Sequence, residues 1–131
     1  MDEKDTLRDC DEALIDKVLT AATNVHRELG PGLLESVYEH ALMIELDEAG
    51  ISAQSQVEIP ANYHGHELGL GFRADIIVED SLLLEIKSVK KIHEVHLAQT
   101  ITYLRLLRFK RGYILNFGTP LLRDGIKQIS I

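Results

Sequence analysis

The amino-acid sequence predicts a single α/β domain with a mixed central β-sheet flanked by helices. Two observations support this fold class. Apolar residues recur at helical spacing in three segments, and at strand spacing in the segments between them. The predicted core therefore has an α-α-β-β-β-α-β order. A chain of 131 residues has the usual size of one domain, so we expect no second one.

Two amphipathic helices are predicted first. Apolar residues at three- and four-residue steps favour a helix over residues 11–29, and the spacing of Asp9 and Glu12 suggests a capping box at its start. Gly30, Pro31 and Gly32 are expected to end this helix. A second helix follows, and its predicted buried face consists of Leu34, Val37, Tyr38, Ala41, Leu42 and Leu46.

The later part of the chain changes between strand and helix patterns. Strands are predicted at residues 52–60, 67–72, 74–78 and 82–87. A helix at 93–108 separates them from a buried strand at 112–117, and a short last strand is predicted at 127–131. Because a helix connects them, strands 82–87 and 112–117 are expected to be parallel, with the usual right-handed crossover. The earlier strands are expected to form antiparallel hairpins.

The charge is divided unevenly along the chain. The net charge is −7, but residues 1–60 hold 4 Lys/Arg and 14 Asp/Glu, whereas residues 61–131 hold 10 and 7. The basic residues of the second part gather within 25 positions, at Lys87, Lys90, Lys91, Arg105, Arg108, Lys110 and Arg111. Such a group is compatible with ordinary solvated surface or with a patch that contacts phosphates, and the sequence leaves both open.

Targeting signals are not visible in the sequence. No apolar run approaches the roughly 20 residues that span a bilayer, and the start of the chain lacks the basic and apolar blocks of a signal peptide. The single cysteine, Cys10, cannot form an internal disulfide. We therefore expect a cytoplasmic protein without membrane contact. Residues 1–10 are expected to form an acidic, mobile N-terminus, and residues 11–131 the domain.

The residues best suited to chemistry are Asp75 and the triplet Glu85-Ile86-Lys87. Side chains alternate along a strand, so Glu85 and Lys87 share one face, and Asp75 on the preceding strand can lie opposite them. Two carboxylates, with the carbonyl of Ile86 as a third oxygen, are suitable ligands for Mg²⁺ or Mn²⁺. The alternative is a surface ion pair between Glu85 and Lys87, because such triplets are common in acidic proteins.

The third predicted helix carries a polar stripe. At 100° per residue, His96, Gln99 and Tyr103 lie within about 60° of one another. Polar side chains on a helix that packs on a sheet need hydrogen-bond partners, and the face carrying Lys87 is the nearest candidate. Gln99 and Tyr103 are also compatible with a simple buried polar pair. Glu35, at the start of the second helix, is favoured there by the helix dipole whatever its function.

These motifs resemble those of the GxxExxY family, which is placed in the PD-(D/E)XK nuclease-like superfamily. The resemblance covers roughly residues 25–130, and its pieces stand in the expected order. The name motif is matched by Gly32, Glu35 and Tyr38, the superfamily core by Asp75, Glu85 and Lys87, and the QxxxY signature of RecB-like nucleases by Gln99 and Tyr103. One departure is Ala74, which stands where the superfamily name has proline.

The resemblance implies a restriction-endonuclease-like core and metal-dependent hydrolysis of phosphodiesters in DNA, with Mg²⁺ or Mn²⁺ as cofactor and a water activated by the metal. It implies that Asp75 and Glu85 are metal ligands, and that Lys87 positions or activates the attacking water. Glu35 would complete the metal shell, directly or through water. Gln99 and Tyr103 would orient Lys87 or contact DNA.

Two alternatives remain at this point. The acidic balance and small size are also compatible with an inactive nuclease-fold module that binds nucleic acid or a protein partner. The second alternative is a homodimer whose interface is the surface of Leu104, Leu106 and Leu107. Leucines on a helix are, however, more often buried in the core.

Overall fold

The computed structural model describes residues 6–69 and 71–131 of the chain. The first half of the predicted mobile N-terminus (residues 1–5) and Leu70, inside the predicted strand 67–72, lie outside the described residues. Of the N-terminal residues that are described, Arg8 forms a β-bridge with Phe109, and Asp9 forms an ion pair with Arg111. No helix in the described part of the chain is long and apolar enough to cross a membrane.

The predicted fold class is confirmed. The three helices are α1 (Glu12–Leu29), α2 (Glu35–Glu48) and α3 (Glu94–Leu107). The strands are β1 (Ala53–Glu58), β2 (Asn62–Tyr63), β3 (His66–Glu67), β4 (Arg73–Val78), β5 (Leu82–Lys87), β6 (Arg111–Asn116) and β7 (Ile126–Ser130). A short 3-10 helix at Leu122–Gly125 precedes β7.

The main sheet has five strands in the order β1-β4-β5-β6-β7. β5 and β6 are parallel, as predicted from the helix between them, and the other neighbouring pairs are antiparallel. β2 and β3 form a separate two-stranded hairpin. The predicted strand 67–72 is therefore wrong beyond Glu67 in the residues that are described, because Gly69 and Gly71 both have positive φ, which interrupts an extended strand.

The sheet separates two hydrophobic clusters. α1 and α2 pack on one face, where every second residue of β5 is buried against them, namely Leu82, Leu84 and Ile86. On the other face Leu83 packs with Tyr103 and Leu104 of α3. Alternation along β5 therefore directs Glu85 and Lys87 toward the side of the sheet that carries α3.

Three local predictions about the helices need correction. The N-cap of α1 is Asp11, whose carboxylate accepts a hydrogen bond from the Leu14 N–H at 2.8 Å, so Asp9 and Glu12 do not form the predicted capping box. Asp9 and Glu12 instead pair with Arg111. Leu34 and Val37, predicted to be buried, are 75% and 40% exposed. Leu34 precedes the helix as its extended N-cap, and the contact with the core runs along Tyr38, Leu42 and Leu46.

At the carboxyl end of the parallel strands, a buried side-chain amide binds the segment that follows β5. The side chain of Asn116, at the end of β6, accepts hydrogen bonds from the Val89 and Gly118 N–H groups and donates one to the Val89 carbonyl. Gly118 lies so close that a Cβ atom there would be 2.3 Å from the Val89 oxygen. This contact fixes the segment that follows Lys87 and therefore the position of Ser88.

Candidate metal centre

Two carboxyl groups replace backbone pairing where β4 and β5 separate. The ladder between these strands ends at the pair Ile76 and Leu84. Beyond it, the Asp75 N–H donates to Glu85 Oε2 at 3.3 Å, and the Ile86 N–H donates to Asp75 Oδ2 at 2.8 Å. The two acids, ten residues apart in the sequence, are thus held side by side between the strands.

Glu85 is the more deeply buried of the two acids. It is 5% exposed, and its Oε1 atom is buried without a hydrogen-bond partner among the described residues. Burial, followed by the hydrogen bond to Asp75 and the charge of Asp75, raises the pKa of Glu85 to about 9. The Asp75 N–H and the positive charge of Lys87 act in the opposite direction. In the metal-free protein Glu85 is therefore a neutral acid at neutral pH.

This pair has the chemistry of a divalent-cation site. A buried carboxyl oxygen without a partner is costly, and a cation beside it would satisfy that oxygen. Mg²⁺ often keeps several water ligands and binds the protein through only one or two carboxylates. The residues present therefore fit Mg²⁺ or Mn²⁺. Among the described residues no group of three or more His, Cys, Asp or Glu side chains is gathered to hold a metal. Of the predicted carboxylate ligands, the structure holds Asp75 and Glu85 together.

Glu35 lies beside this pair without joining it. Its Oε2 accepts a hydrogen bond from the Ser88 N–H at 3.0 Å, and the Ser88 hydroxyl donates to the Leu33 carbonyl at 2.7 Å. The start of α2 is thus bound to the residue directly after Lys87. The roles of Glu35 and of the Ile86 carbonyl as metal ligands stay predictions; the Ile86 N–H is already bonded to Asp75.

Lys87 lies on the same side of the sheet as the polar stripe of α3. Its side chain is half-buried at the end of β5, and it forms no salt bridge with any of the described residues. The pKa of His96 is lowered by burial and next by the charge of Lys87, and that charge also acts on Glu85. The amine therefore lies within electrostatic reach of both Glu85 and His96.

Gln99 and Tyr103 interact with each other. The Gln99 amide donates to the Tyr103 hydroxyl at 3.0 Å, one turn along α3. Gln99 is exposed, whereas Tyr103 is 5% exposed and packs in the hydrophobic cluster under α3. The two side chains form the predicted polar pair, but only Tyr103 is buried. A role of this pair toward Lys87 or DNA stays a prediction.

Two further residues of this region, Glu39 and Gln56, were not predicted from the sequence. Glu39 is 8% exposed, and its Oε1 accepts a hydrogen bond from the Gln56 amide nitrogen at 2.7 Å. The same nitrogen is 3.5 Å from Asp75 Oδ1. Burial, and then the charges of Asp75 and Glu35, raise the pKa of Glu39 above its usual range. The four-residue spacing of Glu35 and Glu39 on one helix was the signal that could have identified Glu39.

The basic residues that cluster in the sequence are divided in space. Because β5 and β6 are parallel with Leu82 opposite Arg111, the start of β6 lies at the opposite end of the sheet from Lys87. There Arg111 is bound to Asp9, Glu12 and the Cys10 carbonyl. Lys87 ends β5, where its charge acts on Glu85, and Lys90 and Lys91 follow in the next segment of the chain.

The raised pKa of Glu85 predicts how the stability of the metal-free protein depends on pH. Between pH 4.5 and about 9, Glu85 carries a proton in the folded state but not in the unfolded state. The stability that this proton contributes is therefore complete at low pH and is lost as the pH rises. The slope for one proton is at most about 1.4 kcal/mol per pH unit. Glu85→Gln has no such proton, so its free energy of unfolding should fall less steeply with pH.

Urea unfolding in EDTA, from about pH 5 to about pH 8, measures this difference directly. We expect Glu85→Gln to gain stability relative to the wild type as the pH increases. Parallel curves for the two proteins would mean that Glu85 is ionised in the folded state.

Comparison with known proteins agrees with this geometry. Residues 12–129, which are nearly the whole chain, match the family model of the PD-(D/E)XK nuclease superfamily. The chain matches none of the curated proteins or solved structures with which it was compared. The acid pair on adjacent strands, the lysine two residues after Glu85 and the extent of the match lead to one conclusion. The chain belongs to the PD-(D/E)XK nuclease superfamily.

Proposed function

We propose that this protein is a Mg²⁺- or Mn²⁺-dependent nuclease that hydrolyses phosphodiester bonds in DNA. The observation that supports it most is the acid pair itself. Asp75 and Glu85 are held together by backbone N–H groups, and one buried oxygen of Glu85 has no partner in the described residues. Membership of a nuclease superfamily makes a divalent metal and a nucleic-acid substrate the natural occupants of this site.

The side chains around the pair have complementary roles in this proposal. A divalent ion, when bound, supplies the positive charge that polarises a phosphoryl group and acidifies water. Asp75 and Glu85 would hold it, with the Ile86 carbonyl as a further oxygen ligand. Because Glu85 would have to release its proton for this, metal affinity should increase with pH. Lys87 donates a hydrogen bond to the attacking water or to a phosphate oxygen, where negative charge develops.

The remaining candidate residues position these groups. Glu35 fixes Ser88 and through it the end of β5. In this proposal it would also complete the metal shell, directly or through water. Gln99 and Tyr103 form one rigid polar pair on the helix that faces Lys87, where they orient its amine or contact the DNA backbone.

We also assign the chain to the GxxExxY group within the superfamily. The three residues of that motif all act on one loop. Gly32 has a φ of 98°, which favours glycine, and the hydroxyl of buried Tyr38 donates to the Gly30 carbonyl and accepts from the Leu33 N–H. Glu35 then ties the same loop to Ser88. The motif therefore supports the loop that brings α2 to the acid pair.

A groove next to the segment that follows β5 is the surface that we propose for a nucleic-acid strand. An open groove of about 650 Å³ adjoins Ser88 and is lined by Leu33, Leu34, Val37 and Lys90 among others. Lys90, which lines the groove, and Lys91, which follows it in the chain, are exposed and can contact phosphates.

Cleavage assays with purified protein test the proposal. With Mg²⁺ or Mn²⁺ and single-stranded, duplex or branched DNA, we expect cleavage that EDTA abolishes. Asp75→Asn, Glu85→Gln and Lys87→Ala should each lower the rate by roughly 100-fold or more, because each removes a group that acts on the developing charge. The exposed Lys17 provides a matched control. It borders a groove with Ser81, which precedes β5, and Lys87 lies at the other end of that strand. Lys17→Ala should keep full activity.

The proposal fails if the wild type cuts none of these substrates with either metal. It also fails if the three variants cut as fast as the wild type. Binding of DNA without cleavage would instead support the alternative of an inactive nucleic-acid-binding module.

The two exposed lysines predict the salt dependence of DNA binding. Measured in EDTA, the double variant Lys90→Ala/Lys91→Ala should bind more weakly, and the slope of log affinity against log salt should decrease by about 1 for each lysine. Lys17→Ala should leave the slope unchanged. An unchanged slope in the double variant, or an equal decrease in Lys17→Ala, would place the DNA elsewhere.

A further inference from the structure

Near the acid pair, the side chains of β1 and β4 switch from one face of the sheet to the other. Ala53 of β1 packs with the α1/α2 cluster, whereas Val57, an even number of residues later, packs with the α3 cluster. On β4, Ile76 belongs to the first cluster and Ala74 to the second. Simple alternation would place the two residues of each pair on the same face. Both strands therefore bend between these positions.

Gln56 lies at this bend. The flanking ladder pairs, Ser55 with Ile76 and Val57 with Ala74, place Gln56 opposite Asp75. Its φ is 52°, the left-handed region that a residue other than glycine rarely adopts. Such backbone conformations persist where the surrounding structure imposes them, and they concentrate at functional sites. The conformation directs the Gln56 side chain toward the acids of the site.

The Gln56 amide connects two carboxyl groups. Its nitrogen donates to Glu39 Oε1 at 2.7 Å and lies 3.5 Å from Asp75 Oδ1. A primary amide has two N–H donors, one for each carboxyl group. Because Asp75 Oδ2 already accepts from the Ile86 N–H, both oxygens of Asp75 then have a protein donor. The orientation of the Asp75 carboxylate is thereby defined.

We propose that Gln56 is a positioning residue that orients Asp75 for the divalent cation, and that Glu39 is the acceptor that holds Gln56 in place. This inference rests on the proposed metal centre and adds a support to it from α2 and β1. Groups that hold metal ligands in orientation commonly change metal affinity by 10- to 100-fold when they are removed.

The geometry favours this role for Glu39 over that of a ligand. The oxygen of Glu39 that faces the site is bonded to the Gln56 amide, which stands between Glu39 and Asp75. Glu39 is buried, so its carboxyl group needs a hydrogen-bond donor whether or not a metal is present. A positioning role requires an acceptor at residue 39, whereas a ligand role requires a negative charge.

Titration calorimetry with Mn²⁺ alone, on the full chain without DNA, separates these roles. Gln56→Leu should weaken Mn²⁺ binding by about 10- to 100-fold, and Glu39→Leu should have a similar effect. Glu39→Gln keeps an acceptor oxygen and should stay within about threefold of the wild type. Gln54→Leu, at an exposed position two residues earlier on β1, is the matched control and should bind normally.

A second substitution at residue 56 separates side-chain reach from backbone strain. Asn tolerates the left-handed backbone better than Gln does, but its amide is one methylene shorter. Gln56→Asn should therefore fold at least as well as the wild type and still lose Mn²⁺ affinity. Thermal unfolding in EDTA verifies that each variant is folded.

The outcomes distinguish this inference from the proposed function. If Asp75→Asn abolishes Mn²⁺ binding while both Gln56 variants bind as the wild type does, the metal centre stands and the positioning role of Gln56 is wrong. If Glu39→Gln loses as much affinity as Asp75→Asn, Glu39 is a ligand and its assigned role is overturned. If Asp75→Asn leaves the affinity unchanged, the metal centre itself is wrong, and this inference with it.

Discussion

The separation of β4 from β5 is the constraint on which the site depends. Past Ile76 and Leu84 the strands no longer pair, and the carboxyl groups of Asp75 and Glu85 occupy the gap by accepting backbone N–H bonds. Two acids in one partly buried space repel each other when both are charged. Without a cation, this repulsion is reduced because Glu85 is neutral. A bound divalent cation would offset the repulsion with its own positive charge. The arrangement costs stability and is therefore better explained by binding than by folding.

The rest of the fold positions polar groups around that gap and at the end of β5. The parallel pair β5–β6 places Lys87 and Asn116 at one end of the sheet, and Asn116 fixes the segment that follows β5. α2 contributes Glu35 and Glu39 one turn apart, and the bend in β1 contributes Gln56. Arg111 forms its ion pairs at the opposite end of the sheet, and they hold the N-terminal segment against β6. Binding chemistry and structural ion pairs are thus separated by the length of the strands.

Much of this arrangement could be predicted from the sequence, because it follows from local periodicity. The alternation of β5 places Glu85 and Lys87 on one face, and four-residue spacing on α3 pairs Gln99 with Tyr103. The parallel pairing followed from the helix between two buried strands. One failure concerns a feature that local patterns do not encode. Gln56 reaches Glu39 across 17 residues only because its backbone is left-handed, and no periodicity predicts that conformation.

In a crystal of the protein grown with Mn²⁺, anomalous scattering locates the ion and so shows whether the acid pair binds it. We expect one strong peak between the carboxyl groups of Asp75 and Glu85, with ligand oxygens at about 2.1 Å and the unpartnered oxygen of Glu85 among them. A saturating Mn²⁺ concentration that leaves this space without an ion, or places the ion on other residues, would contradict it.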